Sequence, residues 1–126
     1  MFSFIGSPTS LPSGYFLEID KLPSPGMVNR LLAKCQQDTF SPDKLSLAME
    51  KSTFNLTIWE ESTGNLVGFL RATSDKGLNA NLWNLVADPT KNQEQLISVL
   101  IHHAVSILKR EHPGCSISIS APSISL

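Results

Sequence analysis

A long apolar run, an imbalance of charge and a cysteine framework are all missing from this chain of 126 residues. No stretch approaches the roughly 18 apolar residues of a membrane span. The start, Met1-Phe2-Ser3-Phe4-Ile5-Gly6, has neither the basic flank nor the extended apolar core of a secretion signal. Both absences make cytoplasmic residence the expectation, with no membrane partner. Ten basic against eleven acidic side chains, a net charge of -1, remove any overall electrostatic reason to expect nucleic acid. Cys35 and Cys115 show neither a metal-ligand nor a redox-dithiol spacing, so two buried, reduced thiols are expected. Tyrosine occurs once, at Tyr15, and the stretch from Asp88 to Ser98 contains no glycine.

What is present suffices for one domain, since chains of roughly 100 to 150 residues commonly bury a core without staples. Ser, Pro, Thr and Gly dominate residues 7–14, so residues 1–14 read as a flexible lead-in and residues 15–126 as the folded domain. Tyr15-Phe16-Leu17-Glu18-Ile19-Asp20 alternates as a strand. Ser24-Pro25 opens a helix with Val28, Leu31, Leu32 and Cys35 on one stripe, and Ser41-Pro42 opens a second with Leu45, Ala48 and Met49 inward. From Phe54 the period becomes two, with Phe54, Leu56 and Ile58 on one face and Asn55, Thr57 and Trp59 on the other. The turn residues Glu61-Ser62-Thr63-Gly64-Asn65 join this strand to residues 66–72 as an antiparallel hairpin. A loop at 74–81 precedes a fourth strand, residues 82–87, stopped by Asp88-Pro89. The longest helix runs from Gln93 to Glu111, and its broad apolar arc predicts burial between a sheet and another surface. Strict alternation over residues 115–121 marks a fifth strand.

This order, together with Thr63-Gly64-Asn65-Leu66-Val67-Gly68-Phe69-Leu70-Arg71-Ala72-Thr73-Ser74-Asp75 and Leu82-Trp83-Asn84-Leu85-Val86-Ala87-Asp88-Pro89, resembles the opening of the Gcn5-related N-acetyltransferase (GNAT) fold. The likeness covers about Tyr15 to Ala121. It implies an α/β (α+β) domain with a mixed, mainly antiparallel central sheet and helices on both faces. The implied order is β-α-α-β-β-β-α-β, lacking the family's usual final helix and two strands.

The same resemblance implies acetyl-CoA as cofactor, with Leu85, Val86 and Ala87 beside its pantetheine arm. It places Asn92, Gln93, Glu94, Gln95, Leu96, Ile97 and Ser98 at the pyrophosphate. Typical members read Arg/Gln-x-x-Gly-x-Gly/Ala there. Matching Asp88-Pro89 to that pattern puts Asn92 at the Arg/Gln position, Gln95 at the first Gly and Ile97 at the second. All three depart from it. Glycine lets backbone N–H groups at a helix N-terminus approach an anion. Asn92 supplies no charge, Gln95 is bulky, Ile97 is β-branched, and Glu94 adds a negative charge, leaving Lys91 as the nearby cation.

Typical members also carry a tyrosine on a later helix as general acid, whereas Tyr15 lies in the first strand. The fourth strand offers Asn84, which cannot take a proton, and Asp88 sits at the cofactor end. No catalytic residue is therefore assigned, and no metal ligand either: His102 and His103 are adjacent on a helix and face different directions. Asn79, Asn81 and Asn84 are candidates to line a polar pocket, and Trp59 and Trp83 are read as core or interface before ligand platforms. Ser116, Ser118 and Ser120 alternate with Ile117 and Ile119 and mark only a strand. The expectation is an acetyltransferase-fold protein with lost or weak acetyl-CoA binding, acting as a binding or assembly module. A homodimer or a protein partner would cover its C-terminal strand. The alternative is an active N-acetyltransferase, moving an acyl group from acyl-CoA to an amine, with a second subunit supplying the missing substrate wall.

Overall fold

Capping and period-two alternation translate into five strands and three helices in the computed structural model, which describes residues 10–120. In chain order they are β1 (Tyr15–Ile19), α1 (Pro25–Lys34), α2 (Pro42–Lys51), β2 (Phe54–Glu60), β3 (Leu66–Ser74), β4 (Asn79–Ala87), α3 (Gln93–Glu111) and β5 (Ser116–Ile119). The sheet order is β1-β2-β3-β4-β5. The first three pairings are antiparallel, and β4–β5 is parallel. A parallel pair needs a crossover, and α3 is that crossover.

Local chemistry sets the helix starts. Ser24 Oγ accepts from the Met27 N–H at 3.2 Å and Pro25 occupies the first turn of α1. Ser41-Pro42 starts α2 differently: the Ser41 side chain makes no cap, and its carbonyl accepts from the Leu45 N–H at 2.9 Å. Between β2 and β3, Gly64 takes φ 71°, a conformation that costs glycine little, and its N–H donates to the Glu60 carbonyl at 2.8 Å.

Two apolar layers sandwich the sheet. On one side α3 brings Leu96, Val99, Leu100 and Leu108 onto Leu56, Ile58, Leu70 and Leu82. On the other, Val28, Leu31 and Leu32 of α1 and Leu45 and Met49 of α2 pack with Trp59, Phe69 and Val86. Each fully buried Leu contributes roughly 1.5–3 kcal/mol relative to exposure. Both faces of β2 are consequently buried, including its polar residues. Asn55 Nδ2 donates to the Met49 carbonyl at 2.9 Å, and Trp59 Nε1 donates to Thr57 Oγ1 at 2.8 Å.

Several expectations are revised. β4 begins at Asn79, three residues before the expected Leu82, because residues 79–82 are held by β5. Cys35 and Cys115 are free but only half-buried. Of the expected lead-in, residues 1–9 lie outside the described residues, while Leu11 packs against the α3 side of the core. The expected end of the fifth strand at Ala121 also lies outside them. Among the described residues no helix is long and apolar enough to cross a membrane.

Candidate functional site

The site grows from one irregularity in β4. Phe69 pairs with Val86 and Arg71 with Trp83, so Leu70 alone faces two residues, Asn84 and Leu85. This is a β-bulge, and Asn84 adopts φ 55° within it. Asn is among the residues that tolerate this left-handed region best. The extra residue also resets the alternation: Leu82, Leu85 and Ala87 all reach the α3 side of the core although Leu82 and Leu85 are three apart.

Just before the bulge β4 parts from β5. Their pairing ends at Leu82–Ile119, followed by one hydrogen bond from the Ser120 N–H to the Leu82 carbonyl at 3.0 Å. Residues 83–87 keep β3 on one flank and have no strand on the other among the described residues. Leu85, Val86 and Ala87 therefore lie where backbone groups can face an extended ligand. Val86 and Ala87 have buried side chains, so what they offer a ligand is main chain.

The loop after β4 is tied down by its own side chains. Asp88 is buried, accepts from the Thr90 N–H at 2.9 Å and Thr90 Oγ1 at 2.7 Å, and pairs with Lys34 at 3.1 Å. Burial pushes its carboxyl up, but the Thr90 and Lys34 interactions outweigh that and hold it below the usual carboxylate range. Lys91 pairs with Glu60 at 3.1 Å, and Thr63 Oγ1 donates to the same carboxylate at 2.7 Å. The Thr63 and Lys91 bonds draw the Glu60 carboxyl down, and the bond to Glu60 raises the Lys91 ammonium. Asn92 caps α3 in the left-handed conformation, φ 52° and ψ 46°, with no side-chain cap. The N–H groups of Gln93, Glu94 and Gln95 take no hydrogen bond among the described residues, and successive free amides at a helix start form an anion-favouring concavity.

Side chains around the start of α3 are engaged with backbone carbonyls. Gln93 Nε2 donates to the Ala87 carbonyl at 3.0 Å, and the Cys35 thiol donates to the same oxygen at 3.1 Å. Burial raises the Cys35 thiol, so it stays protonated and inert. Gln95 Nε2 reaches the Ser10 carbonyl at 3.1 Å. Glu94 is exposed in the first turn of α3, Leu96 is buried in the core, Ile97 packs partly buried against it, and Ser98 is half-buried. Leu85, Val86 and Ala87 thus present main chain on an open flank, while the side chains of Gln93 and Gln95 at the start of α3 are bound to backbone carbonyls.

The three asparagines separate. Asn79 and Asn81 line an open concavity with Thr73, Asp75 and Ser118, while Asn84 faces a different cavity shared with Arg71. Trp59 is core; Trp83 is half-buried, and its Nε1 donates to Thr73 Oγ1 at 2.7 Å. His102 and His103 meet edge to face, and no group of metal ligands forms among the described residues. Sequence reasoning missed Arg71, whose position in an alternating strand looked ordinary, and missed the bulge, which the spacing of Leu82 and Leu85 around an asparagine signals.

No family model matches the sequence. Over 69 residues the chain is 35% identical to a protein of Pyropia yezoensis described as the uncharacterized N-acetyltransferase ycf52, a match covering 53% of this chain and 40% of that protein. A protein of the same description from Porphyra purpurea is 33% identical over 69 residues, covering 53% of this chain and 40% of that protein. The chain spans about two fifths of the length of these curated relatives. Among solved structures, a probable acetyltransferase of unknown function from Staphylococcus aureus superposes with a TM-score of 0.74 at 13% identity, over 84% of this chain and 80% of that one. A GNAT-family acetyltransferase of Streptococcus pneumoniae gives 0.66 at 14%, over 88% and 78%. The glucosamine-6-phosphate N-acetyltransferase of Arabidopsis thaliana gives 0.63 at 16%, over 84% and 82%. At these identities the structural likeness is one of fold.

Proposed function

We propose that this chain, which has the fold of GNAT-family acetyltransferases, is a binding and assembly module whose hold on acetyl-CoA is weak. One observation carries the reading: the cation and the side-chain amides nearest the start of α3 are already engaged, which leaves an anion only the backbone N–H groups of Gln93, Glu94 and Gln95. Lys91 is held by Glu60, Gln95 by the Ser10 carbonyl and Gln93 by the Ala87 carbonyl. A diphosphate would have to break these contacts to gain a side-chain donor, and Glu94 adds repulsion at the helix start. Asp88, the carboxylate beside the slot, is committed to Thr90 and Lys34, which supports binding over proton transfer.

Assembly belongs to the same reading. β5 has a strand on one flank only among the described residues, and Ile119 is 44% exposed on it. An open edge of this kind accepts a strand from a second copy or a protein partner. Light scattering is expected to find a dimer or larger species, and a strict monomer at high concentration counts against assembly through β5.

A working N-acetyltransferase is the second reading, favoured by the open flank of residues 83–87 and the free amides of Gln93, Glu94 and Gln95. In that case acyl-CoA, when bound, supplies the acyl group, and β4 and the start of α3 bind and orient it. Thermal-shift titration with acetyl-CoA separates the two. A ligand at 100 times its dissociation constant stabilises by about 2.7 kcal/mol. The module is expected to show far less at millimolar acetyl-CoA; a saturating shift at micromolar cofactor overturns it in favour of the enzyme.

A further inference from the structure

Arg71 is an anomaly within the sheet. It stands on β3, the central strand, and shares with Phe69 the face that α1 and α2 cover. Its side chain is half-buried. Nε donates to Asn84 Oδ1 at 2.7 Å, Nη1 donates to Ser52 Oγ at 3.4 Å, and the guanidinium lies 5.5 Å from the centroid of the Trp83 ring. A guanidinium has more N–H groups than these two bonds use. No carboxylate reaches it among the described residues, where the ion pairs join Lys34 to Asp88 and Lys91 to Glu60. Burial pulls the guanidinium below its ordinary value, the mark of a cation removed from water without a counter-charge.

Arg71 and Asn84 form one wall of a cavity of about 200 Å³. Phe40 from the α1–α2 connection and Lys44, Leu45 and Ala48 from α2 form the rest. The lining holds two cations and no acid. We propose that this cavity binds a small carboxylate on a short apolar stem, with Arg71 gripping the carboxylate and Phe40, Leu45 and Ala48 enclosing the stem. Asn84 Oδ1 holds Nε and thereby orients the rest of the guanidinium fork, which matches a carboxylate in plane. Lys44 adds a second positive charge at the rim, where its residue is exposed. The volume lies below the roughly 300–1,000 Å³ of sites for drug-sized ligands, so the occupant is a fragment-sized acid. A doubly charged phosphate is disfavoured, because the apolar walls would strip its hydration while offering few donors in return. The site does not depend on the cofactor reading: a carboxylate can bind here whether or not the slot beside β4 receives acyl-CoA.

The test is an NMR titration that follows the Arg71 Nε–H resonance of the full chain with isovalerate, its neutral isostere isovaleramide, and inorganic phosphate. Isovalerate is expected to shift the resonance saturably, with isovaleramide at least about tenfold weaker because the charge-assisted bonds are lost. Arg71→Lys, which keeps the charge and loses the fork, is expected to weaken isovalerate about tenfold. Lys44→Gln, at an exposed helix position, keeps the fold and is expected to weaken it by a smaller factor, so the claim stays decidable if Arg71→Lys does not fold. Equal binding of acid and amide overturns the proposal, as does binding of isovalerate that Lys44→Gln leaves unchanged. Tighter binding of phosphate than of isovalerate overturns the carboxylate assignment. None of these readouts involves acetyl-CoA, so failure here is distinct from failure of the cofactor reading.

Discussion

The two halves of β4 share a strand and differ in what flanks them. Residues 79–82 have β3 on one side and β5 on the other; residues 83–87 have β3 alone. Asn84, in its left-handed conformation, stands near the start of the second. The first half is scaffold, and the second presents an open edge while its inward side chains remain in the core. The inserted residue follows the point where pairing with β5 ends, and it restores the inward alternation one step later.

The largest expected break in this comparison is Leu82→Ala, in the scaffold half. Leu82 is fully buried in the α3-side core, so the change is expected to cost about 2–5 kcal/mol in urea denaturation. A loss under about 1 kcal/mol would mean that this half does not anchor the sheet. At the junction, Asn84→Val forces a β-branched residue to positive φ and is expected to cost about 1–2 kcal/mol beyond Asn84→Gly. Both variants lose the Arg71 hydrogen bond, so their difference in denaturation isolates the backbone strain.

In the open half, Asp88→Asn is expected to cost about 1 kcal/mol, a figure reduced by the exposure of its Lys34 partner. The pH dependence has a definite sign. With the folded carboxyl held below its ordinary value, its contribution is fully present above the unfolded value of about 3.9 and is lost as pH falls through the folded one. Denaturation from pH 7 to pH 3 should therefore show wild-type stability falling, and Asp88→Asn should flatten that fall. The smallest effect on stability is expected from Glu60→Gln, which frees Lys91 at the loop. It should leave the denaturation midpoint nearly unchanged and tighten acetyl-CoA binding by calorimetry. Unchanged binding would show that the engagement of Lys91 does not limit the affinity.

Much of the fold was legible. The bounds of α3 match the reading because its apolar arc is long and Glu111-His112-Pro113-Gly114 interrupts it. The β2–β3 hairpin matches because alternation and turn residues agree. The start of β4 was misplaced because Asn79-Ala80-Asn81 has the composition of a loop and becomes strand only when β5 arrives to pair with it. The cysteines were misread because burial depends on what covers a helix end, and Cys35 sits at the cap of α1.

The candidate site was legible in position but not in state. Asp88-Pro89 located the loop, and Asn92, Gln95 and Ile97 stand where the pattern it resembles has Arg or Gln and two small residues. The engagement of Lys91 by Glu60 and of Gln95 by Ser10 joins segments far apart in sequence, and no local pattern records such meetings. Arg71 was invisible for the same reason: its missing counter-charge is a property of everything that packs around it.

By itself, the sequence determined periodicity, caps and turns, because these follow from each residue's neighbours within a few positions. With them came the order of elements and the sheet's two apolar faces. Tertiary structure alone decided where β4 leaves β5, which side chains around the start of α3 are engaged, and that a half-buried guanidinium faces a cavity without an acid. Those outcomes depend on which distant groups share a dielectric and a hydrogen-bonding distance, and only the assembled fold sets that.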